Sequence, residues 1–268
     1  MALKDILVHI DDRPSCAQRI AAARELALAH EAQLTGFYAT EFPFFSLHHT
    51  NAEADREKAR ELFRSRTEAS GLQTDWVEID CTKAGIGMTE AVNFHAYYRD
   101  LLVIGQTDGS GEHAVPKDLP ERTVLGAGRP VLILPYASDL DTVGRRILLA
   151  WRGGPESSRA VHDAMPFLQQ ARSVTVISVR TPGGDGEFGP ASGDLVGHLA
   201  RHGVSATFEE VDPAGLAVGD MLLNRATDLG SDLLVMGAFA QSRRAIPGLG
   251  EVGRHLLKYM TIPVLMSH

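Results

Sequence analysis

Cysteine is nearly absent from this chain: Cys16 and Cys81 are the only two among 268 residues. They lie far apart and in no ligand-like spacing, which argues against a disulfide framework and fits buried thiols in a reducing compartment. Basic charge is also in short supply, with 26 Lys and Arg against 34 Asp and Glu and a formal net charge of -8. That balance excludes long nucleic-acid backbones as partners, because phosphate binding needs concentrated Lys and Arg. A small anion held locally by backbone groups stays open. Long apolar runs are missing too: none approaches the roughly 20 residues of a membrane helix. The opening residues, MALKDILVHIDD, run directly into a strand pattern without a leader-like stretch. The expected location is the cytoplasm, with no membrane partner.

What the chain does have is a core-forming composition, 44% hydrophobic and 22% charged, which suits one large or two ordinary domains. It also repeats itself. KDILVHIDDRPSCAQRIAAARELA, from Lys4, parallels RRILLAWRGGPESSRAVHDAMPFL, from Arg145. Each has a short β-rich run, a turn with proline, then apolar residues at helical spacing. DLLVIG (100–105) parallels DLLVMG (232–237), and RPVLILP (129–135) parallels IPVLMSH (262–268). The landmarks recur in one order at nearly constant separation, so the chain is read as a duplication.

Strands and helices alternate in each half. The patterns predict strands at 4–10, 32–39, 72–80, 100–105 and 130–135, with helices at 14–30, 52–70, 84–99 and 118–127. The second half is predicted to have strands at 145–151, 173–179, 204–211, 232–237 and 262–267, and helices at 156–171, 189–202, 214–230 and 250–260. Continuous apolar runs such as ILVHI and LLVMG fit parallel strands covered on both faces and joined by right-handed crossovers. The expected fold is α/β: two tandem doubly wound domains, 1–138 and 144–268, each a five-stranded, mainly parallel sheet flanked by helices. YASDLDTVG (136–144) serves as the linker. Ligands in such sheets bind beyond the carboxyl ends of the strands, which points to the turns after the first and fourth strand of each half.

The first of these turns carries Asp11 and Asp12, readable as a hydroxyl- or cation-binding pair or as acids at a helix start. Its counterpart has Arg152. Paired aspartates with Asp80 would also suit a phospho-accepting receiver domain, but Pro135 and Tyr136 stand where that domain needs a lysine. His48 and His49, and His198 and His202 four apart on a helix, lack a third ligand and are read as polar surface. GDGEFGPASGD (184–194) has the composition of a mobile loop. No nucleophile–base arrangement is legible.

The frame Gly237, Ala240, nine residues, then Gly250 and Glu251, closing on IPVLM, resembles the universal stress proteins. Their signature is G-x2-G-x9-G followed by Ser or Thr. With the first strand, its turn and the duplication, the resemblance spans nearly the whole chain and is to the tandem form. It implies the adenine nucleotide alpha-hydrolase-like fold and, by analogy with ATP-binding members, a nucleotide cleft. Adenine and ribose would meet Ala150, Trp151, Arg152 and Val179; phosphates would meet Met236, Gly237, Phe239, Ala240, Gly250, Glu251 and Val252. In the first half Asp11 and Gly105 survive from the pattern, while Asp108, Lys117 and Asp118 replace the rest of it.

Three departures stand against ATP. Arg152 replaces the acid after the first strand, Ala240 the second glycine, and Glu251 the hydroxyl residue. A carboxylate about 5 Å from one phosphate charge costs roughly 3 kcal/mol at an effective dielectric of about 20, about a hundredfold in affinity. Arg243, Arg244, Arg254 or a Mg²⁺ would be needed to offset it. The expected function is a non-catalytic stress-response sensor or binding module with weak or absent ATP binding. The alternatives are an adenine-nucleotide protein with slow ATPase activity, and a cleft for another small molecule with Trp151 as a stacking surface. The halves are expected to form an internal pseudo-dimer, with homodimerisation through strand edges.

Overall fold

The computed structural model describes residues 2–41, 52–107, 115–137, 142–180, 192–241 and 248–268. His48, His49, Asp108, Arg243, Arg244, most of the 184–194 loop and the middle of the linker lie outside these residues. The chain divides into two compact units, Ala2–Asp139 and Leu140–His268.

The first unit runs β1 (Asp5–Ile10), α1 (Cys16–His30), β2 (Gln33–Thr40), α2 (Ala52–Thr67), β3 (Thr74–Asp80), α3 (Cys81–Ala84), α4 (Met88–Ala96), β4 (Leu101–Gly105), α5 (Leu119–Gly126) and β5 (Val131–Leu134). Its strands lie in the order β3-β2-β1-β4-β5 and all pair in parallel. The central strands are buried on both faces; Ile6, Leu7, Val8 and Leu101 to Ile104 are inaccessible to solvent. That is why they read as unbroken apolar runs instead of alternating ones. The helix predicted over 84–99 is two shorter ones, because Gly85 closes α3 at a φ of 69° and Gly87 begins α4.

The second unit repeats the plan: β6 (Arg146–Ala150), α6 (Pro155–Leu168), β7 (Ser173–Val179), α7 (Ser192–Arg201), β8 (Ala206–Val211), α8 (Val218–Asp228), β9 (Leu233–Gly237), β10 (Ala240–Gln241), β11 (Gly248–Leu249), α9 (Glu251–Tyr259) and β12 (Val264–Ser267). The order is β12-β9-β6-β7-β8, again parallel throughout. Pro155 enters α6 at its first turn, where a missing N–H costs nothing. The two-residue strands β10 and β11 pair antiparallel, Ala240 with Leu249 and Gln241 with Gly248, a ribbon that the sequence patterns did not predict. It fastens the segment after β9 to Gly248 and Leu249, just ahead of α9. In each unit the turns after the first and fourth strand meet at the same end of adjacent strands, β1 beside β4 and β6 beside β9. That common end is where each candidate site is built.

Candidate functional site

In the second unit a cavity of about 300 Å³ opens at this end. Ala150, Trp151 and Arg152 reach it from the end of β6 and the turn after it, and Val179 from β7. Met236 and Gly237 come from the end of β9, Phe239 from the segment beyond, and Val252 from the first turn of α9. Eight of the residues proposed from the sequence thus line one space. Three more were missed: Ile177, and Val218 and Leu222 of α8. Ile177 sits two residues before Val179 on the same strand face, a spacing that could have found it. Val218 and Leu222 are one helical turn apart, but only the docking of α8 reveals that they face the cleft.

The lining is apolar apart from Arg152. This residue is exposed, and its guanidinium carbon lies 5.0 Å from the centre of the Phe239 ring, within cation–π range. No described carboxylate forms an ion pair with it. The indole nitrogen of Trp151 is buried and without a hydrogen-bond partner among the described residues. Trp151 also borders a second cavity, about 320 Å³, lined by Ser158, His162, Asp194 and His198 among others. There the His162 and His198 rings are 5.7 Å apart and those of His198 and His202 are 4.7 Å apart. Burial, then the neighbouring imidazoles, lowers the His198 pKa. Among the described residues no group of three or more His, Cys, Asp or Glu is disposed to hold a metal ion.

The phosphate end differs from the sequence expectation in its details. At Gly237 a Cβ would lie 2.5 Å from the backbone carbon of Glu156 and 2.6 Å from the Ser157 nitrogen. The glycine lets α6 pack against β9, so helix packing alone accounts for it. At Gly250 the N–H donates to the Phe239 carbonyl at 2.7 Å, so that donor is already committed. Gly250 is also the N-cap of α9, with Glu251 as its first residue, exposed. Glu251 places its carboxylate in the first turn of α9, where negative charge complements the helix start. Ala240 belongs to β10.

The first unit fills the corresponding space with its own side chains. Asp11 is buried, accepts the Arg13 backbone N–H at 3.1 Å, and pairs with Arg19 at 2.7 Å. Arg19, only 1% exposed, donates through Nε to the His9 carbonyl at 2.8 Å. A Cβ on Gly105 would overlap its Nη1. Asp11 thus neither contacts a ligand cleft freely nor caps α1, whose N-cap is Ser15; its charge is spent on Arg19. Burial by itself would raise the Asp11 carboxyl, but the charge of Arg19, with His9 and Arg13, holds it below the usual carboxylate range. Burial drives His9 down to about 4 against the pull of Asp11, so this imidazole is neutral in the folded protein at neutral pH. In the register of the duplication, His9, Asp11 and Arg19 stand where the second unit has Ala150, Arg152 and Ala160. Two large polar side chains in one copy are methyl groups in the other. A further groove in the first unit, about 280 Å³, is bordered by Asp11, Asp12, Arg13, Tyr38, Asp55 and Lys58, a charged lining unlike that of the second unit.

No protein-family model and no curated protein matches the sequence. Solved structures do match in fold. A universal stress protein from Archaeoglobus fulgidus DSM 4304 superposes with a TM-score of 0.73 at 13% identity, covering 98% of this chain and 97% of that one. A functionally unknown protein from Pseudomonas aeruginosa PAO1 gives 0.62 at 16% identity, over 99% and 92% of the two chains. A protein from Pseudomonas aeruginosa UCBPP-PA14, provisionally assigned to the universal stress proteins, gives 0.62 at 16%, over 99% and 93%. At these identities the likeness is one of fold, and it extends from end to end. The chain therefore has the fold of the universal stress proteins, adenine nucleotide alpha-hydrolase-like, with two such domains in tandem.

Proposed function

We propose that this chain is a non-catalytic binding module of the universal stress protein kind, acting in the cytoplasm in a stress response. Its ligand cleft is in the second domain, and ATP binds there weakly or not at all. One observation carries the reading: the cleft is apolar around Trp151 and Phe239, and α9, which borders it through Val252, begins with the exposed carboxylate of Glu251. A triphosphate would meet that carboxylate, and the Gly250 N–H already serves the Phe239 carbonyl. In the first domain the Asp11–Arg19 pair supports a scaffolding role.

Calorimetry with ATP and Mg²⁺ tests this. Binding no tighter than about 100 µM is expected, and a low-micromolar constant would overturn the reading. Glu251→Ser should strengthen ATP binding at least tenfold. No gain in that variant would move the obstruction to Arg152 or Ala240.

A further inference from the structure

The second-domain cleft combines two features that together specify a ligand class, and the inference rests on the reading above that this cleft is a ligand site. The first is shape and lining. At about 300 Å³ the space is at the small end of ligand pockets, which span roughly 300–1,000 Å³. Ile177, Val179, Val218, Leu222 and Met236 offer it neither charge nor strong hydrogen-bonding side chains. A compact apolar body, one or two rings in size, fits these walls.

The second feature is one cationic group lining that apolar space. Arg152 lies over the Phe239 ring at 5.0 Å, and no described carboxylate neutralises it. A guanidinium resting on an aromatic face keeps its planar edge and several N–H donors available, the geometry that takes a carboxylate in bidentate fashion. The duplication sharpens the point. At the matching position the first domain has Asp11, answered by its own Arg19; here the arginine faces the cleft and Ala160 stands where Arg19 would be. The sign is inverted and the internal partner has gone.

We infer that the cleft binds a compact aromatic monocarboxylate, its ring system among the apolar walls and its carboxylate on Arg152. A single negative charge placed at the β6 turn meets a cation, whereas a phosphate tail directed at α9 meets Glu251. The class therefore differs from a nucleoside triphosphate in where its charge must sit.

The test uses the full chain and calorimetry with 2-naphthoate, its neutral amide 2-naphthamide, adenosine, and ATP with Mg²⁺. Naphthoate should bind at least tenfold more tightly than the amide, about 1.4 kcal/mol. Arg152→Gln should remove that preference by weakening naphthoate at least tenfold more than the amide; Arg152 is exposed, so the fold tolerates the change. Arg152→Lys should keep part of the preference. Val218→Trp, placed on the cavity wall, should abolish binding of both naphthyl compounds. Equal affinity for acid and amide, or a preference that survives Arg152→Gln, overturns this inference and leaves the cleft as a ligand site. Adenosine binding where neither naphthyl compound binds overturns the ligand class. Failure of every probe at millimolar concentration, or naphthoate binding that survives Val218→Trp, overturns the cleft reading as well.

Discussion

Arg19 and Gly105 share one space: the guanidinium of the first lies where any side chain on the second would have to go. Arg19 is buried and held by Asp11 at 2.7 Å and by the His9 carbonyl at 2.8 Å, so it has nowhere to retreat. Gly105→Ala should therefore displace the guanidinium from Asp11. The expected loss is about 3–5 kcal/mol, the cost of stranding one member of a buried pair. Urea unfolding followed by circular dichroism checks it, and a loss below about 1 kcal/mol would contradict the packing described.

Removing both charges should be far gentler than removing one. Arg19→Met leaves Asp11 buried without its partner and should cost several kcal/mol, while Arg19→Met with Asp11→Asn should recover most of that loss. A double-mutant cycle measures the coupling.

The second domain answers to backbone instead. Gly237→Ala would press a methyl group against the Glu156–Ser157 peptide, which cannot swing aside as a side chain can. Destabilisation of about 1–3 kcal/mol is expected from such overpacking, with no change in the first domain. Thermal unfolding of the two single-glycine variants, compared with their double, should show additive losses.

Acid should weaken the first domain over a defined range. His9 has its pKa lowered from 6.5 to about 4, so between these values the unfolded chain takes up a proton that the native protein refuses. Stability from this residue is complete above about 6.5 and falls as the pH drops towards 4, by roughly 3 kcal/mol in all. His30 and His95 are shifted in the same direction and add to the trend. Asp11, held low chiefly by Arg19 against the effect of burial, contributes stability that goes only in stronger acid. His9→Gln should flatten the pH dependence of the unfolding midpoint between 4 and 6.5; an unchanged slope would contradict the neutral state of His9.

Much of this architecture was legible in the residues. Apolar runs such as LLVIG and LLVMG became central parallel strands because burial on both faces removes any need for alternation. The strand-end rule pointed to the turns after the first and fourth strands; the resemblance named Trp151, Arg152 and Met236 there, and these three line one cavity. Arg19 was not legible. On a helix whose apolar residues include Cys16, Ile20 and Ala23, an arginine reads as the exposed side; only Asp11 and the bare Gly105 make its burial possible. Val218 and Leu222 were missed for a related reason: which face of α8 meets the cleft is decided by packing. The helix predicted from 250 starts at Glu251, within the one- or two-residue spread of such boundaries.

Trp151 is shared by two chambers: it lines the apolar one and also the one holding His162 and His198. The chain's other tryptophan, Trp76, belongs to β3 of the first domain. Replacing Trp76 by Phe would leave Trp151 as the single tryptophan, so selective excitation of its indole would give an optical gauge of both cavities.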